Sequence, residues 1–149
     1  MPEKDYSGTP LPKKLGIGEG SRVAILGAPE GFVETLTPMP PGVEVAPRVR
    51  GRLDVVVLFA TRRVALERRF APAVRALEPD GGLWVCWPKR ASKVETDLTF
   101  DVVQGMGLAA GLVDNKSASV TGVFQGMRFV YRLKDRPPAG VAAWARSRR

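Results

Sequence analysis

The sequence predicts a doubly wound α/β domain, and three observations carry that expectation. Apolar runs at 23–26, 53–59 and 83–87 have the uninterrupted, β-branched character of strands buried on both faces of a parallel sheet. Segments with helical spacing alternate with them. Two further strand-like runs, 113–120 and 123–133, come after the last helical segment and read as an antiparallel pair. The expected architecture is a compact, mostly parallel sheet with helices on both faces and an antiparallel C-terminal strand pair. It occupies residues 21–134, between an arm (1–20) and a basic tail (135–149).

In the arm, Tyr6-Ser7-Gly8-Thr9-Pro10 is turn chemistry, and Leu11 to Ile17 has room for one or two helical turns. Ser21 to Leu26 is the first strand. Pro29 suits the first turn of a helix, where its missing N–H costs nothing, so Glu30 to Leu36 reads as a short helix. Thr37-Pro38-Met39-Pro40-Pro41-Gly42 stops it. Val43 to Gly51 is weakly patterned and holds one short edge strand, and Leu53 to Phe59 is the next core strand. A helix comes next, from Thr61 or Arg62 to Leu77, with Val64, Leu66, Phe70, Val74 and Leu77 near helical spacing. Pro79-Asp80-Gly81-Gly82 reads as a turn, and Leu83 to Trp87 as a buried strand in which Trp84 and Trp87 point to opposite faces. Pro88 to Glu95 is a basic loop. Thr96 then caps a helix over 97–110, with Asp97 and Asp101 near its positive end. Within that helix, close packing on the sheet accounts for Gly105 and Gly107. Along the last strand Phe124, Met127 or Phe129, and Tyr131 compete for the inner face.

The 149 residues hold one cysteine, Cys86, and no histidine. That excludes an internal disulfide and any Ser-His or Cys-His nucleophile, and leaves no plausible transition-metal ligand set. Cys86, between Val85 and Trp87, reads as a buried inert thiol. The lone cysteine, the absence of a long apolar run and the lack of an apolar core in Met1–Lys14 point to a cytoplasmic protein without signal peptide or membrane span. The net charge is +8. About half of the excess sits in the tail (Arg136, Arg146, Arg148, Arg149), with further clusters at Arg48, Arg50 and Arg52 and around Arg62, Arg63, Arg68 and Arg69. No aromatic-interleaved basic strand accompanies them, so nucleic acid is a possible but not a favoured partner.

In a doubly wound sheet, ligands bind outside the carboxyl ends of the strands at the switch point. That rule selects the loops 27–31, 59–62 and 87–97, and with them Gly27, Glu30, Gly31, Phe59, Thr61, Arg62, Trp87, Lys89, Lys93 and Asp97 as the candidate crevice. Arg62 is the best-placed cation near the first loop. The run Trp87-Pro88-Lys89-Arg90, with Lys93, leads into a helix N-terminus, an arrangement suited to a small anion or an acidic partner. Asp114-Asn115-Lys116 reads as turn polarity, with Lys116 near the functional edge as the alternative.

The stretch LDVVVLFATRRVALERRFAPAVRALEPDGGLWVCWP resembles the second half of class I methyltransferase-like Rossmann domains. More closely, YSGTPLPKKLGI, APEGF, WPK, TDLT and GLVDNK together resemble an uncharacterised bacterial family of unknown function, over about residues 6–133. The methyltransferase resemblance implies a G-x-G-x-G turn after the first strand and a ribose-binding carboxylate at the end of the second. This chain departs from both. Its turn is Gly27-Ala28-Pro29-Glu30-Gly31, where Pro29 removes a donor and Glu30 adds negative charge. Only 21 residues, Phe32 to Arg52, precede the next clear strand, and Glu44 is the sole acid in the interval beyond Glu34 of the short helix. At about 3.3 Å per strand residue and 1.5 Å per helical residue, that interval holds one short helix and one short strand, not two full βα units. The expected function is therefore a non-catalytic binding or regulatory module with no cofactor, taking a small anionic ligand or a protein partner. An enzyme using an adenosylmethionine-like or nucleotide cofactor stands second, and nucleic-acid association through the arginine clusters third.

Overall fold

The computed structural model describes residues 9–136. Residues 1–8 and the tail from Pro137 onward, with the readings made of them, lie outside the described residues. The described residues form six strands: β1 (Arg22–Leu26), β2 (Glu44–Ala46), β3 (Leu53–Phe59), β4 (Leu77–Pro88), β5 (Leu112–Ser119) and β6 (Phe124–Tyr131). The α-helices are α1 (Leu11–Lys14), α2 (Arg63–Ala76) and α3 (Phe100–Ala109). The strands form one sheet in the order β2-β1-β3-β4-β6-β5. The first four run parallel, and β6 is antiparallel to both β4 and β5. The chain leaves β1 toward β2 on one side and returns to lay β3 on the other. The switch point therefore falls between the carboxyl ends of β1 and β3, as the sequence predicts.

Each face of the sheet has its own core. On the back face α2 and α3 bury Leu66, Phe70, Ala73, Val74 and Val103 against Val56, Leu58, Val85, Trp87 and Phe129. On the front face Leu15, Ile17, Phe32 and Leu36 cover Val23, Ile25, Val55, Val57 and Trp84. Trp84 and Trp87 thus point to opposite faces, and both are almost fully buried. The competition along β6 resolves by parity. Met127, Phe129 and Tyr131 join the back core, while half-buried Phe124 joins the front.

The front cover is thin. Where the sequence predicts a helix from Glu30 to Leu36 there is only a 3-10 turn, Val33–Leu36. The arm compensates: its single helical turn positions Leu15, whose carbonyl accepts a hydrogen bond from the Trp84 indole N–H at 2.9 Å. That bond satisfies the one polar atom of a ring that is otherwise wholly apolar and wholly enclosed.

Three local readings are corrected. Pro79-Asp80-Gly81-Gly82 is not a turn between elements but part of β4, as an irregularity: pairing passes from Leu53↔Leu77 to Val55↔Gly82. The extra residues fold out, and at Gly81 a Cβ would lie 2.7 Å from the Asp54 carbonyl oxygen, so only glycine lets β4 return to β3. Val64, assigned to the buried stripe of α2, is 61% exposed, because two helical steps of about 100° set it on the far side from buried Leu66. Gly105 makes no close approach, whereas Gly107 lies directly under the Phe129 ring.

Gly107→Ala forces the added methyl into that ring and lowers stability by about 1–3 kcal/mol in denaturant unfolding. Gly105→Ala enters open space in a helix and raises stability by up to ~1 kcal/mol. Equal effects of the two substitutions would refute the packing of α3 on β6. Cys86 is fully buried, and desolvation pushes its thiol far above the ordinary range. A thiol reagent at neutral pH leaves it unmodified in the native protein and labels it once denaturant is added.

Candidate functional site

The carboxyl ends of β1 and β3 meet at Gly27 and Phe59. Gly27 has φ +66°, and a Cβ there would lie 2.8 Å from both the Phe59 carbonyl oxygen and Nη1 of Arg69. Glycine is required here for the close passage of two backbones, with the guanidinium of Arg69 laid alongside. Gly31 also has positive φ, +85°, and its surroundings are open. The corner leads into the short 3-10 turn rather than a helix, so no ordered set of helix N-terminal amides faces the loop. Glu30 is exposed beside it.

Phe59 is not a crevice residue. It is 4% exposed and packs edge-on against Phe32 and Phe124, at centroid distances of 4.8 and 5.1 Å. These rings close the front core directly beneath the switch point. An aromatic at the end of a buried strand reads as a ligand contact or as a core plug with equal ease, and here it is the plug.

The loop after β4 reaches back across β3. The Thr96 hydroxyl donates to the Thr61 carbonyl at 2.5 Å and accepts from the Leu98 N–H at 3.0 Å. One residue on, the Asp97 carboxylate accepts the backbone N–H of Arg63 at 2.7 Å. Asp97 therefore serves the first turn of α2, whose own N-cap position, Arg62, has no capping side chain. The predicted roles shift accordingly. Thr99, not Thr96, caps α3 by accepting the Val102 N–H at 3.2 Å, and Asp101 is the acid in the first turn of that helix. Both threonines have the local chemistry of an N-cap, and tertiary contact with Thr61 decides between them.

A cavity of about 650 Å³ opens at the carboxyl end of β4, and Trp87, Lys89 and Lys93 line it. Gly27, Glu30, Gly31, Thr61, Arg62 and Asp97 are not part of its wall. The candidate crevice thus divides: the 87–93 group shares one cavity, and the 27–31 and 59–62 groups lie outside it. The cavity is mixed in charge, with Arg90 and Lys93 beside Glu95 and Asp101. Its apolar surface includes Val94 and Phe100, 41% and 49% exposed. Lys93 holds a left-handed backbone conformation, φ 62°, that closes the 3-10 turn Arg90–Ser92.

Lys89 also reaches β5. Its ammonium donates to the Ser119 hydroxyl at 2.7 Å, at the carboxyl end of β5. Ser119 belongs to a second and larger cavity of about 860 Å³, bordered by the arm and by residues 116–122. Sequence reasoning missed the residues of this groove apart from Lys89 and Lys116. No local pattern places Lys13 and Lys14 of the arm against a strand a hundred residues later. Glu44, the acid considered for a ribose, opens β2 beside Arg22 at the amino end of β1, across the sheet from the switch point.

Neither a protein-family model nor a curated protein sequence matches the chain. Solved structures do match in shape. The mitomycin 7-O-methyltransferase MmcR has a TM-score of 0.54 at 12% identity, over 76% of this chain and 49% of that one. A SAM-dependent methyltransferase from Aquifex aeolicus has 0.52 at 16% identity, over 78% and 85%. The fibrillarin pre-rRNA processing protein of Methanococcus jannaschii has 0.56 at 10% identity, over 83% and 69%. The chain spans about half the length of the mitomycin enzyme. At these identities the likeness is one of fold, and the fold is methyltransferase-like.

Proposed function

We propose that this chain is a non-catalytic binding or regulatory module on a methyltransferase-like fold. The observation that carries the reading is the state of the switch-point corner. The turn after β1 leads into no helix, Glu44 stands at the amino end of β2, and Thr96 and Asp97 bind the 93–99 loop onto Thr61 and Arg63. The first two features remove components that a nucleoside cofactor would use, amide donors and a ribose acceptor, and the third ties down the loop beside them.

The binding surface of the module is the cavity at the end of β4. Arg90 and Lys93 beside exposed Val94 and Phe100 suit an anionic group attached to an apolar body, either a small ligand or an acidic segment of a protein partner. A buried lone thiol suits a cytoplasmic setting. Nucleic-acid association through the arginines has less support. Arg52 donates to the carbonyls of Arg75 and Leu77, and Arg63 pairs with Glu67, so part of each cluster is engaged within the chain. The resemblance to an uncharacterised bacterial family adds no activity to this reading. The second reading, an enzyme using adenosylmethionine or a related cofactor, is favoured by one observation, the likeness to methyltransferase structures.

Calorimetry separates the two. Titration with adenosylmethionine or its demethylated product gives no binding heat at millimolar ligand, and saturable binding at micromolar ligand would replace the module with the enzyme. Asp97→Ala loses the cap on Arg63 and lowers stability by about 1 kcal/mol, read as a shift in the unfolding midpoint. It gains no adenosylmethionine binding, because the missing helix and acid are not restored by loosening the loop.

A further inference from the structure

The groove between the arm and the β5–β6 hairpin has a distinct electrostatic character. Four lysines line it, from three separate parts of the chain: Lys13 and Lys14 of α1, Lys89 after β4, and Lys116 of β5. No carboxylate is among its described lining residues. Among the described residues the ion pairs are Arg52–Glu78 and Arg63–Glu67, so none of the four ammonium groups is neutralised by one. Two are instead held by neutral oxygens. Lys116 donates to the Lys14 carbonyl at 3.3 Å, and Lys89 donates to the Ser119 hydroxyl at 2.7 Å. The first bond also fixes the arm against β5 and so defines the groove.

Four like charges around one concave surface raise its potential and repel one another, a cost that a bound multivalent anion removes. The volume, about 860 Å³, falls within the range of small-molecule sites. Lysine ammoniums act as point charges toward phosphate, and Ser117 and Thr121 add hydroxyl donors on the same wall. Leu11 and Val120 give the groove an apolar portion. Among the described residues no aromatic ring lines it to offer the stacking platform that single-stranded nucleic acid uses.

We infer that this groove binds a small organic ligand carrying a diphosphate or two phosphate groups, at a site separate from the cavity at the end of β4. Lys13 reaches it from the arm and Lys116 from the edge strand, while Lys89 forms the wall shared with the neighbouring cavity.

Inorganic pyrophosphate is the probe, titrated into the full chain by calorimetry at low and moderate salt, with orthophosphate and an oligothymidylate alongside. Pyrophosphate binds more tightly than orthophosphate, and Lys13→Gln and Lys116→Gln each weaken it about tenfold. Arg90→Gln and Lys93→Gln, in the adjoining cavity, leave it unchanged, which separates this site from the module surface proposed above. All four positions are exposed, and an unaltered unfolding midpoint verifies that each variant is folded. Absence of pyrophosphate binding, or equal affinity in wild type and in the Lys13→Gln/Lys116→Gln double variant, overturns the inference. Tighter binding of the oligothymidylate, lost in the same variants, also overturns it and assigns the groove to a nucleic-acid backbone.

Discussion

A parallel sheet must be covered on both faces, and in this protein the front face has to be covered without a full helix. The segment after β1 supplies a four-residue 3-10 turn, and the segment between β2 and β3 supplies no regular element. The arm meets that need. It brings Leu15 and Ile17 to 0% and 3% exposure over the sheet and anchors there through the Trp84 indole and the Leu15 carbonyl. Without that contact, part of the front face that Phe32 and Leu36 leave uncovered would lie open to water, and an exposed Trp84 alone forfeits about 2–3 kcal/mol of burial. The position of the arm, and every feature that depends on it, comes from this one requirement.

One dependent feature is the closure of the switch point. With no helix after β1 to stand off the loop, Gly27 sits against the Phe59 carbonyl, and Phe32 turns inward onto Phe59 and Phe124. The loop after β4 then settles on the carboxyl end of β3 through Thr96 and Asp97. The aromatic plug and the tied loop thus border the place where a doubly wound protein holds its ligand. Concave surface appears instead farther along the same end of the sheet, beyond β4 and beside β5. The two larger cavities lie sideways along the row of strand ends, and smaller ones lie at the opposite end.

Much of this architecture is legible in the sequence. Leu53 to Phe59 reads as a strand with correct ends because a β-branched run flanked by Arg52 and Ala60 admits no helical alternative. The Trp84–Trp87 spacing alone fixes their opposite faces. The illegible parts share a physical cause: the deciding contact is remote. Thr96 and Thr99 have equal local claims to be a cap, and only the Thr61 carbonyl distinguishes them. Pro79 to Gly82 has turn composition, and only pairing with β3 makes it a fold in a continuing strand. Lys89 lies in the predicted loop, yet Ser119, thirty residues on, draws its ammonium into another cavity. Sequence indicated where the cations are numerous but not which of them stay unpaired.

That distinction tracks residue chemistry. Some of the described arginines are engaged within the fold, while Arg48, Arg50, Arg62, Arg68, Arg75 and Arg90 stay exposed. Arg52 spans the carbonyls at the end of α2, and Arg69 lies against Gly27. Arg128 occupies the space over Gly82, where burial, and then the charge of Arg136, holds its guanidinium below the ordinary value. A planar fork with five donors satisfies several backbone oxygens at once and so tolerates partial burial. Lysine has neither advantage and stays where water or a ligand can reach it. The lysines of the groove are gathered by tertiary structure, and the arm that covers the front face is also what brings two of them there.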